Sequence, residues 1–512
     1  LKLNFKTLKT NYMKSIKIFT VVLACLALAA CKKWVDYNPR EDFKITDQEY
    51  LKTEADYRAM AVGCYSPLTW LNQLVLIGDV ITDNSVTGGE SASDQLPLQQ
   101  IDNLTHTSVN STIADLWQSS YEGINRVNYL TQYKDKNIAG ETITFPGKEA
   151  LYGETYFLRA FYYFTLVKMF GDVPLFVDRR LGVTETNSLT RSAKTEVYGQ
   201  IEKDLIAAIA VLPVAQPEQG RVTKYAAQAL LGKVYLYQNK FTESAAMLEN
   251  VINKFDLVTN FGAIFLQSGE NGQESVFEIQ YSNGQGTYDW GHPTRNQGNL
   301  VVQQSGVRGF SGINGMPYAS GWSTNLPTSN LAGIYAAGDQ RKDVTVFNVE
   351  AYKVANPQFN IVYLVAPYRN TGFYSGKFQP RVGESSGQIE LNYGNNFRTI
   401  RYADVLLMAA EANNKAAAPN DIKAQTYLNL VRRRAFGNTN NDITSTGTTL
   451  GEAIFTERRR ELAMEGEYFF DLVRTGKAAT VLAPLGFISG KHELFPIPLG
   501  EVNGGLTQNP GY

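Results

Sequence analysis

Glu457, Glu461 and Glu465 repeat at four-residue intervals in TERRRELAMEGEYFFDL, and Asp471 closes the run. Two carboxyl groups about 5 to 10 Å apart across a cleft are the working pair of a glycoside hydrolase. Here Arg458, Arg459 and Arg460 are interleaved with the acids. Opposite charges four apart on a helix pair with one another for about 0.2–0.5 kcal/mol each, so the run reads as a salt-bridged helix face. His106, His292 and His492 are far apart, and none has the His-x-x-x-His or Cys/His spacing of a zinc site. RVGESSGQ lacks the strand-turn-helix setting of a nucleophilic serine, and the glycines of GQGTYDWGHP lack phosphate-cradle spacing. No catalytic residue, metal ligand or cofactor is expected.

A different chemistry is better represented. A flat aromatic ring covers the apolar C–H face of a pyranose, while amides, carboxylates and arginines bond its hydroxyls. Tyr288, Asp289 and Trp290, then Arg308 and Phe310, then Tyr318 and Trp322 lie in irregular, Gly- and Asn-rich sequence with this composition. Asp83 and Asn84 lie in a second polar stretch, VITDNSVTGGESASDQLPLQQIDNLTHTSVN. Trp117, Tyr121 and Tyr162 instead fall on helical stripes and are expected in the core.

Cys31 is a third candidate. Lys14 and Lys17 precede a mostly apolar run from Ile18 to Ala30 that ends in small residues, the plan of a secretory signal, with Met13 the expected start. Leu28, Ala29 and Ala30 lead directly into Cys31, as in a bacterial lipobox, where the thiol is acylated and becomes the first mature residue. Two or three acyl chains at about 0.8 kcal/mol per buried methylene anchor a protein stably. No later apolar run is expected to span a membrane. Cys64 then has no intramolecular partner, so packing alone must hold the exported chain together. A formal charge of −1, from 48 basic and 49 acidic residues, leaves no electrostatic footprint for nucleic acid.

The elements that must position these groups are mostly helical. Ala114–Tyr133, Glu149–Met169 and Thr195–Leu212 carry apolar residues at helical spacing. In VTKYAAQALLGKVYLYQNKFTESAAMLENVIN, the stripe Ala226, Leu230, Val234, Tyr237 is answered across a short QNK turn by Phe241, Ala245, Leu248, Ile252. That is a helix hairpin of tetratricopeptide type. Helices are expected again over Ile400–Lys415, Ala424–Ala435 and Leu450–Met464. The intervening residues, about 258–399, lack helical period and read as an irregular, ligand-side insertion with short strands such as ESVFEIQYS and NIVYLVAPY. The helical scaffold is then residues 31–257 and 400–512, with 1–30 upstream residues and signal.

GETYFLRAFYYFTLVKMFGDVPLF, IRYADVLLMAAEANNK, LNLVRRRAF, IFTERRRELAMEGEYFFDLVRTGK and LFPIPLGEVNGGLTQNPGY occur in this order, and the chain carrying them resembles the SusD/RagB family of nutrient-binding outer-membrane lipoproteins. The resemblance implies a helical platform with a glycan-capturing surface, serving as a lid on a TonB-dependent transporter. Capture of peptides and, further off, a helical glycoside hydrolase remain the alternatives. It assigns no catalytic role, and it transfers no individual contact residue, so Asp83, Asn84, Tyr288, Trp290, Arg308, Tyr318 and Trp322 stand as candidates on their chemistry. Asp83 and Asn84 also resemble the family's acidic-Asn turn near the ligand side. Lys32 and Lys33 follow the cysteine, where surface-exposed members commonly have acids.

Overall fold

A computed structural model describes residues 50–182, 185, 189–284, 296–385 and 391–512. Two compact units are distinguished. Of the described residues, 50–56 and 135–143 form the smaller, in which the Asn137 side chain donates to the Leu51 carbonyl at 3.3 Å. Residues 57–134 and 144–512 form the larger, which holds the helical scaffold and the 258–399 segment together.

The scaffold is a stack of helix pairs. Ser111–Gln132 and Lys148–Phe170 pack on one another, and Lys148–Phe170 packs in turn on Lys194–Val211. Asn110 starts the first by accepting from the Ile113 N–H, and Gly171, at φ 72°, ends the second. Gly123 is required where the first two cross, because a Cβ there would lie 2.3 Å from the Tyr162 ring. The expected hairpin is present as Lys224–Tyr237 and Phe241–Leu248, with Thr223 capping and Gly232 admitting Leu248. Ala226, Leu230 and Val234 are buried, as their stripe requires.

Far along the chain, Tyr402–Lys415, Asp421–Phe436 and Gly447–Leu462 rejoin the stack, Tyr402–Lys415 packing on Phe241–Leu248 and on Asp421–Phe436. One boundary differs from expectation. Ile400 and Arg401 are not helical but end the strand Phe397–Arg401, which pairs antiparallel with Ser275–Ile279, Ser275 opposite Arg401. The β-branched Thr399 and Ile400 suit that strand. The fold is mostly α, with three two-stranded antiparallel sheets among the described residues; Ser85–Thr87 pairs with Asn325–Pro327, and Phe347–Asn348 with Phe373–Tyr374.

The 258–399 segment has a core of its own. Val307, Phe310, Met316, Leu326, Phe347, Val349, Ile361, Tyr363 and Tyr374 are packed together, and Tyr318 and Tyr352 lean on them. NIVYLVAPY forms no strand beyond a bridge from Val362 to Ser311, although it alternates, with Ile361 and Tyr363 inward and Val362 and Leu364 outward. Glu54–Val80 is long and apolar enough to cross a membrane, contrary to the expectation above. However, 61% of its most apolar window is buried inside the protein. A turn at Ser66–Leu71, entered by Pro67, also breaks it, so this stretch is core.

The repeated acids of the 457–471 segment are not on a solvated helix face. Glu457, Arg458 and Glu461 are essentially inaccessible, and their partners come from remote segments. Glu461 meets Arg341 at 3.0 Å, Arg401 at 2.9 Å and Arg434 at 2.5 Å; Glu465 meets Arg401 at 2.8 Å and Lys377 at 2.6 Å. Arg458 holds Asp404 at 2.7 Å and Asp471 at 3.1 Å. Helical spacing detects only neighbours on one helix, whereas these pairs bolt the 258–399 segment to the scaffold. Burial alone would push the Glu461 carboxyl up, but Arg434, Arg401, Arg341 and Lys377 together hold it well below the usual range.

Candidate glycan-binding face

Trp70 lies at the end of the Ser66–Leu71 turn, where Pro67 breaks the helical run and the ring is turned out of the core. It lines a cavity of about 510 Å³ together with Tyr65, Tyr281, Arg126, Gln219 and Gln297. The rings are fixed from behind. Tyr65 Oη donates to Glu154 Oε2 at 2.6 Å and accepts from the Val222 N–H at 3.0 Å, and Tyr281 Oη donates to the Thr69 carbonyl at 3.1 Å. Burial pushes both phenols well above their ordinary pKa, with the Glu154 carboxylate adding to the effect at Tyr65, so both are neutral hydroxyls. The Arg126 guanidinium lies 5.2 Å from the Trp70 ring centre and is neutralised by Glu122 at 2.9 Å. Gln219 and Gln297 are exposed and direct polar amides to the same space.

Beside this cavity lies the short helix Leu300–Ser305, all six residues of which are buried. The Thr69 hydroxyl donates to the Asn296 carbonyl at 3.2 Å, just before that helix. Within it, Gln304 accepts from Gln73 at 3.0 Å and donates to Gln95 at 3.4 Å. With the Gln303 amide turned so that its oxygen and nitrogen each meet a complementary group, it accepts from Trp322 Nε1 at 3.0 Å and donates to the Ser320 carbonyl at 3.2 Å. Trp322 also donates its backbone N–H to the Gln303 carbonyl at 2.8 Å, and both it and Trp70 are half-buried. The arrangement is aromatic and mostly neutral, as a surface for uncharged hydroxyl-rich ligands must be.

The sequence candidates are placed as follows. Arg308 joins Trp322: its Nη2 donates to the Trp322 carbonyl at 2.9 Å and to Asp94 Oδ2 at 2.9 Å, so it latches the 80–110 excursion to the 308–322 loop. Tyr318 sits apart from this pair, stacked on Phe310 at 6.0 Å and edge-on to Phe347. Asp83 and Asn84 are both engaged by Arg459, at 2.9 Å and 2.8 Å, and Asp83 also accepts from Asn330 at 2.9 Å. Tyr288 and Trp290, like Cys31, lie outside the described residues; the segment that carries the two aromatics runs between Gly284 and Asn296, and its described flanks Ser282 and Gln297 line the Trp70 cavity. Trp117 and Tyr162 are core, as expected. Trp70 escaped the sequence reading because it follows a helix rather than lying in a long loop; the Ser-Pro pair at 66–67 was the available signal. Among the described residues no cluster of three or more His, Cys, Asp or Glu is arranged to hold a metal ion.

Comparison with known proteins places the fold. Residues 273–487 fit the SusD family model, and residues 43–236 fit a model described as starch-binding associating with outer membrane. A solved laminarin binding SusD-like protein is 34% identical, with a TM-score of 0.79, over 90% of this chain and all of that one. Surface glycan-binding protein A from Bacteroides thetaiotaomicron, solved with laminarihexaose, is 29% identical with a TM-score of 0.78, again over 90% of this chain and 100% of its own. SusD-like protein P2 of Formosa agariphila is 28% identical over 98% of this chain and 100% of its own length. With both halves of the chain matched and a solved relative 34% identical over 90% of the chain, the protein belongs to the SusD/RagB family.

Proposed function

We propose that the protein captures neutral oligosaccharides of the laminarin type at the outer membrane and passes them to a TonB-dependent transporter. The observation that carries the reading is the ring-lined Trp70 cavity, together with the half-buried Trp322, in a chain whose similar proteins include a laminarin binder and a laminarihexaose complex. Stacking of each ring on a pyranose contributes about 0.5–1.5 kcal/mol beyond area burial, and the amides select among hydroxyl patterns. The reading includes no covalent chemistry, since Glu457 and Glu461 are consumed by buried arginines and face no cleft. Attachment through Cys31 would hold the protein in the membrane of its transporter, where shared tethering raises the effective concentration of both.

Titration of intrinsic tryptophan fluorescence with laminarihexaose tests the capture step. Saturable quenching without hydrolysis of the sugar is expected, and either no response or the appearance of shorter products would overturn it. For the anchor, Cys31→Ser should release the protein into the soluble fraction. Mild detergent extraction of the wild type should recover a β-barrel protein in near-equal amount; recovery alone across several detergents would count against the transporter.

A further inference from the structure

A larger cavity of about 760 Å³, sharing no lining residue with the Trp70 cavity, lies between the ends of Lys148–Phe170, Lys194–Val211, Lys224–Tyr237 and Tyr468–Arg474. Its chemistry is unlike that of the Trp70 cavity. The Lys168 ammonium lies 4.3 Å from the Phe470 ring centre and has no hydrogen bond or carboxylate partner among the described residues. The nearest acids are already taken: Glu467 by Lys233 at 2.8 Å, and Asp471 by Arg458 at 3.1 Å and Arg474 at 2.7 Å. Arg191, in the same lining, is held by the carbonyls of Asp172, Phe170 and Thr507 and by the Asn509 side chain, all uncharged acceptors.

The two acids of the lining do not compensate for Lys168. Asp172 accepts from the Lys194 N–H at 2.8 Å, and Glu493 accepts from Ser489 Oγ at 3.1 Å and the Gly490 N–H at 2.8 Å. Tyr237 Oη is buried and without a partner, whereas the half-buried Tyr198 hydroxyl and the exposed Asn239 amide face the same cavity without a side-chain hydrogen bond among the described residues. A half-buried ammonium without a counter-charge and a buried hydroxyl without a partner each cost free energy, which a ligand supplying the missing groups recovers.

We propose that this cavity is a second binding site, for a saccharide bearing a carboxylate: a uronic acid whose carboxylate pairs with Lys168 and whose hydroxyls bond Tyr198, Tyr237 and Asn239. Val473 and Leu494 supply an apolar wall for the ring's C–H face. Burial holds Lys168 down at about 8, so a bound carboxylate both finds the ammonium form available near neutral pH and stabilises it. The site does not depend on the tryptophan face.

The test uses the full mature protein with sodium D-glucuronate and sodium D-galacturonate, and with D-glucose and acetate as controls, by saturation-transfer NMR and calorimetry. At least one uronate should bind, at least tenfold more tightly than glucose or acetate. Lys168→Met should weaken it at least tenfold and Tyr237→Phe, which keeps the ring, at least threefold, with laminarihexaose affinity unchanged within twofold in both. Uronate should also slow acetylation of Lys168 at least fivefold, read by peptide mass spectrometry on the unmutated protein. Absence of uronate binding, equal binding of acetate or glucose, undiminished binding by Lys168→Met, or unprotected Lys168 would each overturn the proposal.

Discussion

Asp79 should make the protein less stable as pH rises through neutrality, and Asp79→Asn should remove that dependence. The carboxyl is fully inaccessible; Oδ1 accepts from the Gly466 N–H and Oδ2 from Asn325, each at 3.1 Å. Gly78 and Gly466 make this possible, because a Cβ on Gly78 would strike the Gly466 carbonyl at 2.0 Å. Burial raises the pKa to about 7, against the lowering effect of Asn325, Gly466 and Lys377, while Glu465 adds to the rise. The folded state therefore holds a proton that the unfolded state, titrating near 3.8, has lost. Stability falls as pH climbs between the two values and levels off above the folded pKa. Between pH 5 and pH 8 the loss from this group is about 3 kcal/mol, an order-of-magnitude figure from the linkage relation.

Asparagine keeps an acceptor for Gly466 but opposes its own amide to that of Asn325, a cost of about 1–3 kcal/mol that does not depend on pH. Urea unfolding of wild type and variant at pH 5 and pH 8 separates the two effects. The variant should gain about 3 kcal/mol on the wild type over that interval, whatever its absolute stability. A pH-independent difference between the two proteins would refute the buried, protonated Asp79.

The buried lattice predicts that Glu461→Gln, of equal size, costs about 3–5 kcal/mol in urea unfolding, because three guanidiniums lose a shared carboxylate without water to replace it. A loss under about 1 kcal/mol would mean that the lattice is solvated. Gly123→Ala should destabilise by about 1–3 kcal/mol, read by thermal melting, since the Tyr162 ring it strikes is fixed by a 2.8 Å bond to the Cys64 carbonyl; an unchanged midpoint would show that the helices can separate there.

Helices and their pairing were legible because apolar period and capping chemistry are local. Thr223, Gly171 and the Ala226–Leu230–Val234 stripe each do in the structure what their type and spacing imply. The strand ending at Arg401 was not, since Ile400 and Arg401 adjoin a strongly helical run and their pairing partner lies more than a hundred residues earlier. Nor was the depth of Glu457 and Glu461, which depends on Arg341 and Arg401 arriving from elsewhere. Aromatic composition singles out Trp322 but does not separate rings that stay half-exposed from those that pack inward. Phe310 has the same irregular flanks as Trp322, yet it packs into the core of the 258–399 segment. Trp70, which lines the cavity, sits between two helices where composition gives little contrast.

The central claim is that Trp70 and Trp322 form one glycan-binding face, and calorimetric titration of laminarihexaose into wild type and the Trp70→Ala/Trp322→Ala variant tests it most directly. Two stacking contacts at about 0.5–1.5 kcal/mol each predict a roughly 5- to 150-fold weaker affinity in the variant. Both rings are half-buried at the surface, so the melting temperature should change little. Unchanged affinity in a folded variant, or a collapse of melting temperature with affinity per folded molecule intact, would contradict the account and return both rings to the core.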